Sequence, residues 1–256
     1  MDLHHSEKLS VTISQTSVTE SATDGFSPRR GNCIQEQGES VVVVVDDNAG
    51  NVTVVINGAN SLPLHDTRAV DLCVRLDLGG RDAVRRLRVS ADITFERLHV
   101  LLQTAFGWKN YHLYNFGLFR KWSENYCAHP DVELVASGEE LKVNPIAKPI
   151  AGLKLSNYVP EYRKILYTYD YHDDWRHYIE IENIIDAYRE KLPVLLSGEG
   201  DAPPEDVGGA DRFAEFLEAI ADPSHEKHGH LIACAKSTQW KPFDFETVAR
   251  LVREIV

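Results

Sequence analysis

The stretch Ile165-Leu166-Tyr167-Thr168-Tyr169-Asp170-Tyr171-His172-Asp173-Asp174-Trp175-Arg176-His177-Tyr178-Ile179-Glu180-Ile181-Glu182 decides the fold. Two strand-like runs, Ile165 to Tyr171 and Trp175 to Glu182, flank the turn chemistry of His172-Asp173-Asp174, so the segment reads as a β-hairpin. Period-two alternation puts Trp175, His177, Ile179 and Ile181 on one face and Arg176, Tyr178, Glu180 and Glu182 on the other. His177 therefore travels with the apolar set, and the hairpin tip carries most of the polar chemistry.

Upstream, Val70 to Leu78, a Gly79-Gly80 turn and Val84 to Val89 predict another antiparallel pair. Thr94 is placed as an N-cap, and Phe95, Leu98, Leu101, Leu102, Ala105 and Phe106 recur at helical spacing before Gly107, a C′ glycine. His112 to Phe116 reads as a short aromatic strand, and Lys142 to Leu155, with Pro145, Pro149 and Gly152, as irregular chain. Downstream, the Gly-, Pro- and acid-rich Gly198 to Gly209 precedes an amphipathic helix through Phe213, Phe216, Leu217 and Ile220 that Asp222-Pro223 ends. A last helix covers about Glu246 to Ile255. Strands and helices follow no regular βαβ alternation, so the expected class is α+β, a mixed or antiparallel sheet of β-hairpins with helices packed on it. This domain is expected to span 66–256. Val41 to Val45 and Val52 to Ile56 predict a β-hairpin extension over 39–65, and the Ser/Thr-rich residues 1–38 are expected to form a disordered tail.

The chain has 256 residues, 43% of them hydrophobic, which suffices for a substantial core. Its formal charge of −12 opposes non-specific attraction to nucleic acid or anionic lipid. Cys33, Cys73, Cys127 and Cys234 show neither a C-x-x-C pair nor a disulfide-framework spacing, so reduced thiols in a cytoplasmic protein are expected. The first residues lack the apolar core of a secretion signal, and the longest apolar run, Val41 to Val45, is too short to span a bilayer.

Several fragments, taken in order, carry a resemblance. They are Arg85-Arg86 with Val89-Ser90-Ala91-Asp92 and Leu98-His99; Phe106-Gly107-Trp108 with His112-Leu113 and Phe116; Tyr169-Asp170-Tyr171 with Asp174-Trp175 and His177; Pro203-Pro204-Glu205-Asp206-Val207-Gly208-Gly209; and Pro242-Phe243-Asp244-Phe245. The chain resembles, from roughly Val70 onward, the plasmid pRiA4b ORF-3-like family, whose members are also labelled passenger TnpR proteins of insertion elements. The resemblance implies the fold and an association with plasmids or mobile elements, but no reaction. The resolvase that the TnpR label suggests would need a nucleophilic Ser, an Arg-rich site and a DNA-binding helix-turn-helix, and the sequence contains no such arrangement. Two positions depart from the family pattern: Val84 where Trp is usual, and Ala202 where Cys is usual. The second weakens any thiol chemistry carried over from relatives.

From residue types, an aromatic and acidic groove is expected around His112, Asp170, Asp174, Trp175, His177, Glu205 and Asp206. Within it, Asp174, His177 and Glu205 are the candidate ligands for a divalent metal, because a carboxylate beside an imidazole orients it for metal binding or acid–base work. Plain packing of His177 and Trp175, and helix capping by Glu205 and Asp206, explain the same residues without a ligand. His225, His228 and His230 read as loop histidines without zincin spacing. Cys127 and His129 read as an ordinary thiol and its neighbour. Arg85, Arg86 and Arg88, with Trp108, Tyr111 and Tyr114 nearby, form the one basic concentration that could meet nucleic acid, although acidic neighbours dilute it.

Three functions compete: a non-catalytic interaction module for a protein or peptide partner; a hydrolase or nuclease holding Mg or Mn on Asp170, Asp174, His177, Glu205 and Asp206; and a nucleic-acid-binding accessory protein. No residue receives a catalytic role from the sequence.

Overall fold

The computed structural model describes residues 31–36, 39–46, 51–57, 67–121, 129–144 and 146–255. The chain divides into two units, 1–64 and 65–256. In the first, β1 (Gly31–Glu36), β2 (Glu39–Asp46) and β3 (Asn51–Asn57) form an antiparallel sheet in that order, with Ile34 opposite Val41 and Val43 opposite Val54. A third strand thus joins the valine-rich pair from within the stretch expected as a tail. Residues 1–30 lie outside the described residues, as does Cys127.

The second unit is built on an eight-stranded sheet. Its elements are β4 (Thr67–Leu76), β5 (Ala83–Ser90), α1 (Phe95–Phe106), β6 (Tyr114–Phe119), β7 (Val132–Val135), α2 (Gly138–Val143), β8 (Lys148–Pro149), β9 (Lys164–Tyr169), β10 (Trp175–Tyr188), β11 (Val194–Glu199), α3 (Ala210–Ala221), α4 (His228–Thr238) and α5 (Phe245–Arg253). The strand order is β11-β5-β4-β10-β9-β6-β7-β8, antiparallel except for the short β7–β8 pair, which makes an α+β fold with a mixed sheet. Alternation sorts the faces. Leu72, Val74 and Leu76 of β4, Leu87 and Val89 of β5, and Trp175, His177, Ile179 and Ile181 of β10 are buried. α1 lies over this face, with Phe95 edge-on to Phe116 and Phe106 edge-on to His177. Thr94 accepts from the Arg97 amide and Gly107 closes α1 in the left-handed region, the start and stop signals visible in the sequence.

Arg85 departs most from expectation. It shares the inward face with Leu87, is only 2% exposed, and is bonded to carbonyls, with the Asp201 carboxylate acting on its charge from nearby. Its guanidinium donates to the carbonyls of Ala105 (3.0 Å), Val84 (2.8 Å), Glu199 (2.7 Å) and Gly200 (3.1 Å), and lies 3.6 Å from the centre of the Phe243 ring. Burial pushes its pKa down to about 10. Arg86 and Arg88 point to the other face, where Arg86 pairs with Glu182 and Arg88 grips Asp71 through two bonds of 2.6 and 3.0 Å. The expected nucleic-acid patch is therefore corrected: one arginine is inside the protein and the other two are held by carboxylates.

Several elements went unread in the sequence, among them β7, α2, β11 and α4. In β11, Pro193 and Gly198 mask the strand signal, yet Gly198 is required because a Cβ there would stand 2.6 Å from the Phe243 ring. α4 has no side-chain N-cap and no buried residue, so the histidines expected in a loop, His228 and His230, lie on a helix. Among the described residues no helix is long and apolar enough to cross a membrane. Replacing Arg85 by Leu removes the donor from four carbonyls and is expected to lower the free energy of unfolding by about 3 kcal/mol or more, whereas Arg86→Ala should leave stability nearly unchanged. Urea titrations of the two variants that give equal midpoints would contradict this reading of Arg85.

Candidate functional site

The site forms at one end of the sheet, where the β9–β10 turn, the segment after α1 and the Pro203–Gly209 loop meet. Asp170 starts the turn with φ 55°, a left-handed conformation that aspartate tolerates better than most residues. Its Oδ1 accepts from the amides of His172 (3.0 Å) and Asp173 (3.4 Å), which leaves Oδ2 facing His112. Asp173 Oδ2 in turn accepts from the Gly208 amide at 2.8 Å and so fastens the loop to the hairpin. Gly208 has φ +95°, and a Cβ there would press on the Arg212 side chain. The base of the loop is clasped by two indoles: Trp108 Nε1 donates to the Pro203 carbonyl at 2.8 Å and Trp240 Nε1 to that of Ala202 at 2.7 Å. Ala202 itself is a buried core residue.

Glu205 is buried, accepting from the Lys109 amide at 2.6 Å and from the Tyr169 hydroxyl at 3.1 and 3.2 Å. Burial raises the Tyr169 pKa, so the phenol keeps the proton it donates. The next residue, Asp206, is mostly exposed and has φ 59°. His112 Nε2 lies 3.0 Å from Asp206 Oδ1, 3.5 Å from Asp170 Oδ2 and 3.9 Å from Glu205 Oε2. That nitrogen is shut off from solvent and makes no well-aligned hydrogen bond, despite the close Asp206 oxygen. One donor atom each from His112, Asp170 and Asp206 falls within 4.8 Å of the others, the only such group of three or more among the described residues.

Four of the seven expected groove residues thus converge: His112, Asp170, Glu205 and Asp206. The expected ligand set Asp174, His177 and Glu205 is not assembled. Strand alternation carries His177 into the core, fully buried, where its Nδ1 faces the carbonyls of Trp175 (3.2 Å) and Tyr167 (3.3 Å). Those oxygens require the proton on Nδ1 and leave Nε2 without a partner. Asp174 turns outward to pair with Arg176, and Trp175 packs on Trp108 with ring centres 6.1 Å apart. His228 is bound to the Ala219 carbonyl at 2.8 Å. Tyr169, which holds Glu205, went unassigned in the sequence, where its signal was its place on the inward face of β9; Trp108, expected beside the basic patch, instead holds the loop.

A one-sided, mostly antiparallel sheet bearing a His/Asp/Glu cluster at one end defines an α+β protein with a potential ligand site on its connections. The chain belongs to the plasmid pRiA4b ORF-3-like family, whose model matches residues 68–249. It is 36% identical over 171 residues to the uncharacterized protein y4hQ of Sinorhizobium fredii (strain NBRC 101917 / NGR234), covering 67% of this chain and 82% of that one. The crystal structure of MM3350, a protein of unknown function from Methanosarcina mazei Go1, is similar, with a TM-score of 0.59 and 26% identity over 71% of this chain and 97% of that one.

Burial pushes the pKa of His177 down to about 3 and that of His99 to about 4, so both are neutral in the fold. An unfolded histidine takes up its proton below about 6.5, so the unfolded chain binds more protons and stability falls as the pH drops. Well below 6.5, each contributes a loss approaching about 1.4 kcal/mol per pH unit. Denaturant titrations between pH 7 and 5 should show this decline, and His177→Leu should flatten it. A slope unchanged in that variant would contradict a neutral, buried His177.

Proposed function

We propose that this protein is a cation-dependent binding module whose divalent ion is held by His112 Nε2, Asp170 and Asp206, with Glu205 beside them. The observation that carries this reading is the solvent-shielded His112 nitrogen, which makes no aligned hydrogen bond although three carboxylate oxygens surround it. An imidazole with two or three carboxylates is a donor set that suits Mn, Zn or Mg. A hydrogen-bonding role for the same ring would align its N–H with one oxygen. The exposure of Asp206 leaves one side of the ion open, and the exposed Tyr111, Leu113 and Tyr171 lie next in sequence to two of the ligands. Such a rim suits a protein or peptide partner better than a polyanion, given the net charge of −12. The open side also admits water, so a hydrolytic reading shares the site and is separated from the binding module by turnover of a phosphodiester.

Metal analysis of untagged protein, followed by calorimetric titration with Mn, Zn and Mg, tests the site. One equivalent should bind to the wild type and to Asp174→Ala, and binding should be lost in His112→Ala and Asp206→Asn. If the wild type takes up none of the three ions, the reading fails. Manganese-dependent hydrolysis of bis(p-nitrophenyl) phosphate, abolished by His112→Ala, would replace the binding module with the hydrolase.

A further inference from the structure

Between α1 and β6 the chain crosses residues 107–113 without regular structure, and this arm delivers His112. Three consecutive amides of the arm donate to side chains from three different elements. Lys109 N reaches Glu205 Oε1 of the loop at 2.6 Å, Asn110 N reaches Gln103 Oε1 of α1 at 2.8 Å, and Tyr111 N reaches the Tyr169 hydroxyl of β9 at 2.9 Å. Asn110 sits at φ 57°, and its Oδ1 lies 2.8 Å from His99 Nε2. An acceptor there places the proton on Nε2, so Nδ1 accepts from the Tyr167 hydroxyl at 2.8 Å, which in turn accepts from Gln103 Nε2 at 3.0 Å.

His99, Gln103 and Tyr167 are among the most buried side chains of the protein. Polar groups in a core cost stability unless paired, and apolar residues would pack there at less cost. What the network gains is a fixed path for the part of the arm beyond Trp108, which packs little of its own, since Tyr111 is 65% and Leu113 50% exposed. We propose, on the strength of the cation-site reading, that Gln103 and Tyr169 are positioning residues: they set the arm so that His112 faces Asp170 and Asp206. Gln103 uses its amide nitrogen within the core and its oxygen on the arm. Tyr169 joins the arm to the loop at a single oxygen, accepting from Tyr111 and donating to Glu205. Neither touches the ion.

The alternative is that these bonds only satisfy the amides of an irregular segment, and metal affinity separates the two. Manganese would be titrated calorimetrically into the full-length wild type, Tyr169→Phe, Gln103→Leu, Gln103→Glu and, as a destabilised control, Val74→Ala in the sheet core. Outer groups that orient metal ligands contribute about 10–100-fold to affinity, so Tyr169→Phe and Gln103→Leu should weaken binding by that factor. Gln103→Glu keeps an acceptor for the Asn110 amide and should recover most of the loss, while Val74→Ala should melt earlier and bind as the wild type does. Wild-type affinity in Tyr169→Phe and Gln103→Leu, with lowered melting temperatures, would reduce both residues to a structural role and overturn the proposal alone. Absence of manganese binding in the wild type would overturn the cation site and this proposal together.

Discussion

The buried guanidinium of Arg85 is the constraint around which the second unit closes. A charge that far from water needs most of its five donors engaged, and no single element of the fold offers enough acceptors. The fold supplies them from the end of α1, from β5 itself and from the end of β11, and covers the cation with the face of Phe243. Sheet edge, helix and C-terminal segment are thereby fixed against one another. The Pro203–Gly209 loop leaves from this junction, where Asp201 accepts from the Phe243 amide at 2.7 Å. The position of the loop at the far end of the sheet thus follows from how β11 is held.

From that junction the chain builds the site with backbone as much as with side chains. Asp170 and Asp173 each use one oxygen on a main-chain amide, and Glu205 is gripped by an amide and a phenol. Asp170 and Glu205, held in this way, would lose little freedom on meeting the proposed cation. The opposite face of the sheet spends its charges differently. There Arg86 with Glu182, Lys164 with Glu180 and Arg88 with Asp71 pair with one another across strands.

Much of this was legible in the sequence where one periodicity dominates. The inward set Trp175, His177, Ile179 and Ile181 follows from alternation alone, and α1 follows from its spacing and its two caps. α4 and β11 were illegible because a helix with no N-capping side chain and no fully buried residue, and a strand interrupted by glycine, carry little periodic signal. The site was half legible. Residue type picked out His112, Asp170, Glu205 and Asp206, but which of the seven candidates face one another depends on a turn that rotates Asp174 outward. Arg85 was read as part of a basic surface, although alternation aligns it with Leu87 and Val89, the face that the structure buries. That its charge could be satisfied by carbonyls far along the chain was not legible.

The two indoles that clasp the loop have a consequence for observation. Trp108 and Trp240 donate to consecutive carbonyls at its base, and Trp108 also stacks on Trp175 and Tyr169. Opening of the loop would break both hydrogen bonds and admit water to the ring edges, changing the emission of chromophores the protein already possesses. Any opening of the Pro203–Gly209 segment would therefore register optically in the unlabelled chain.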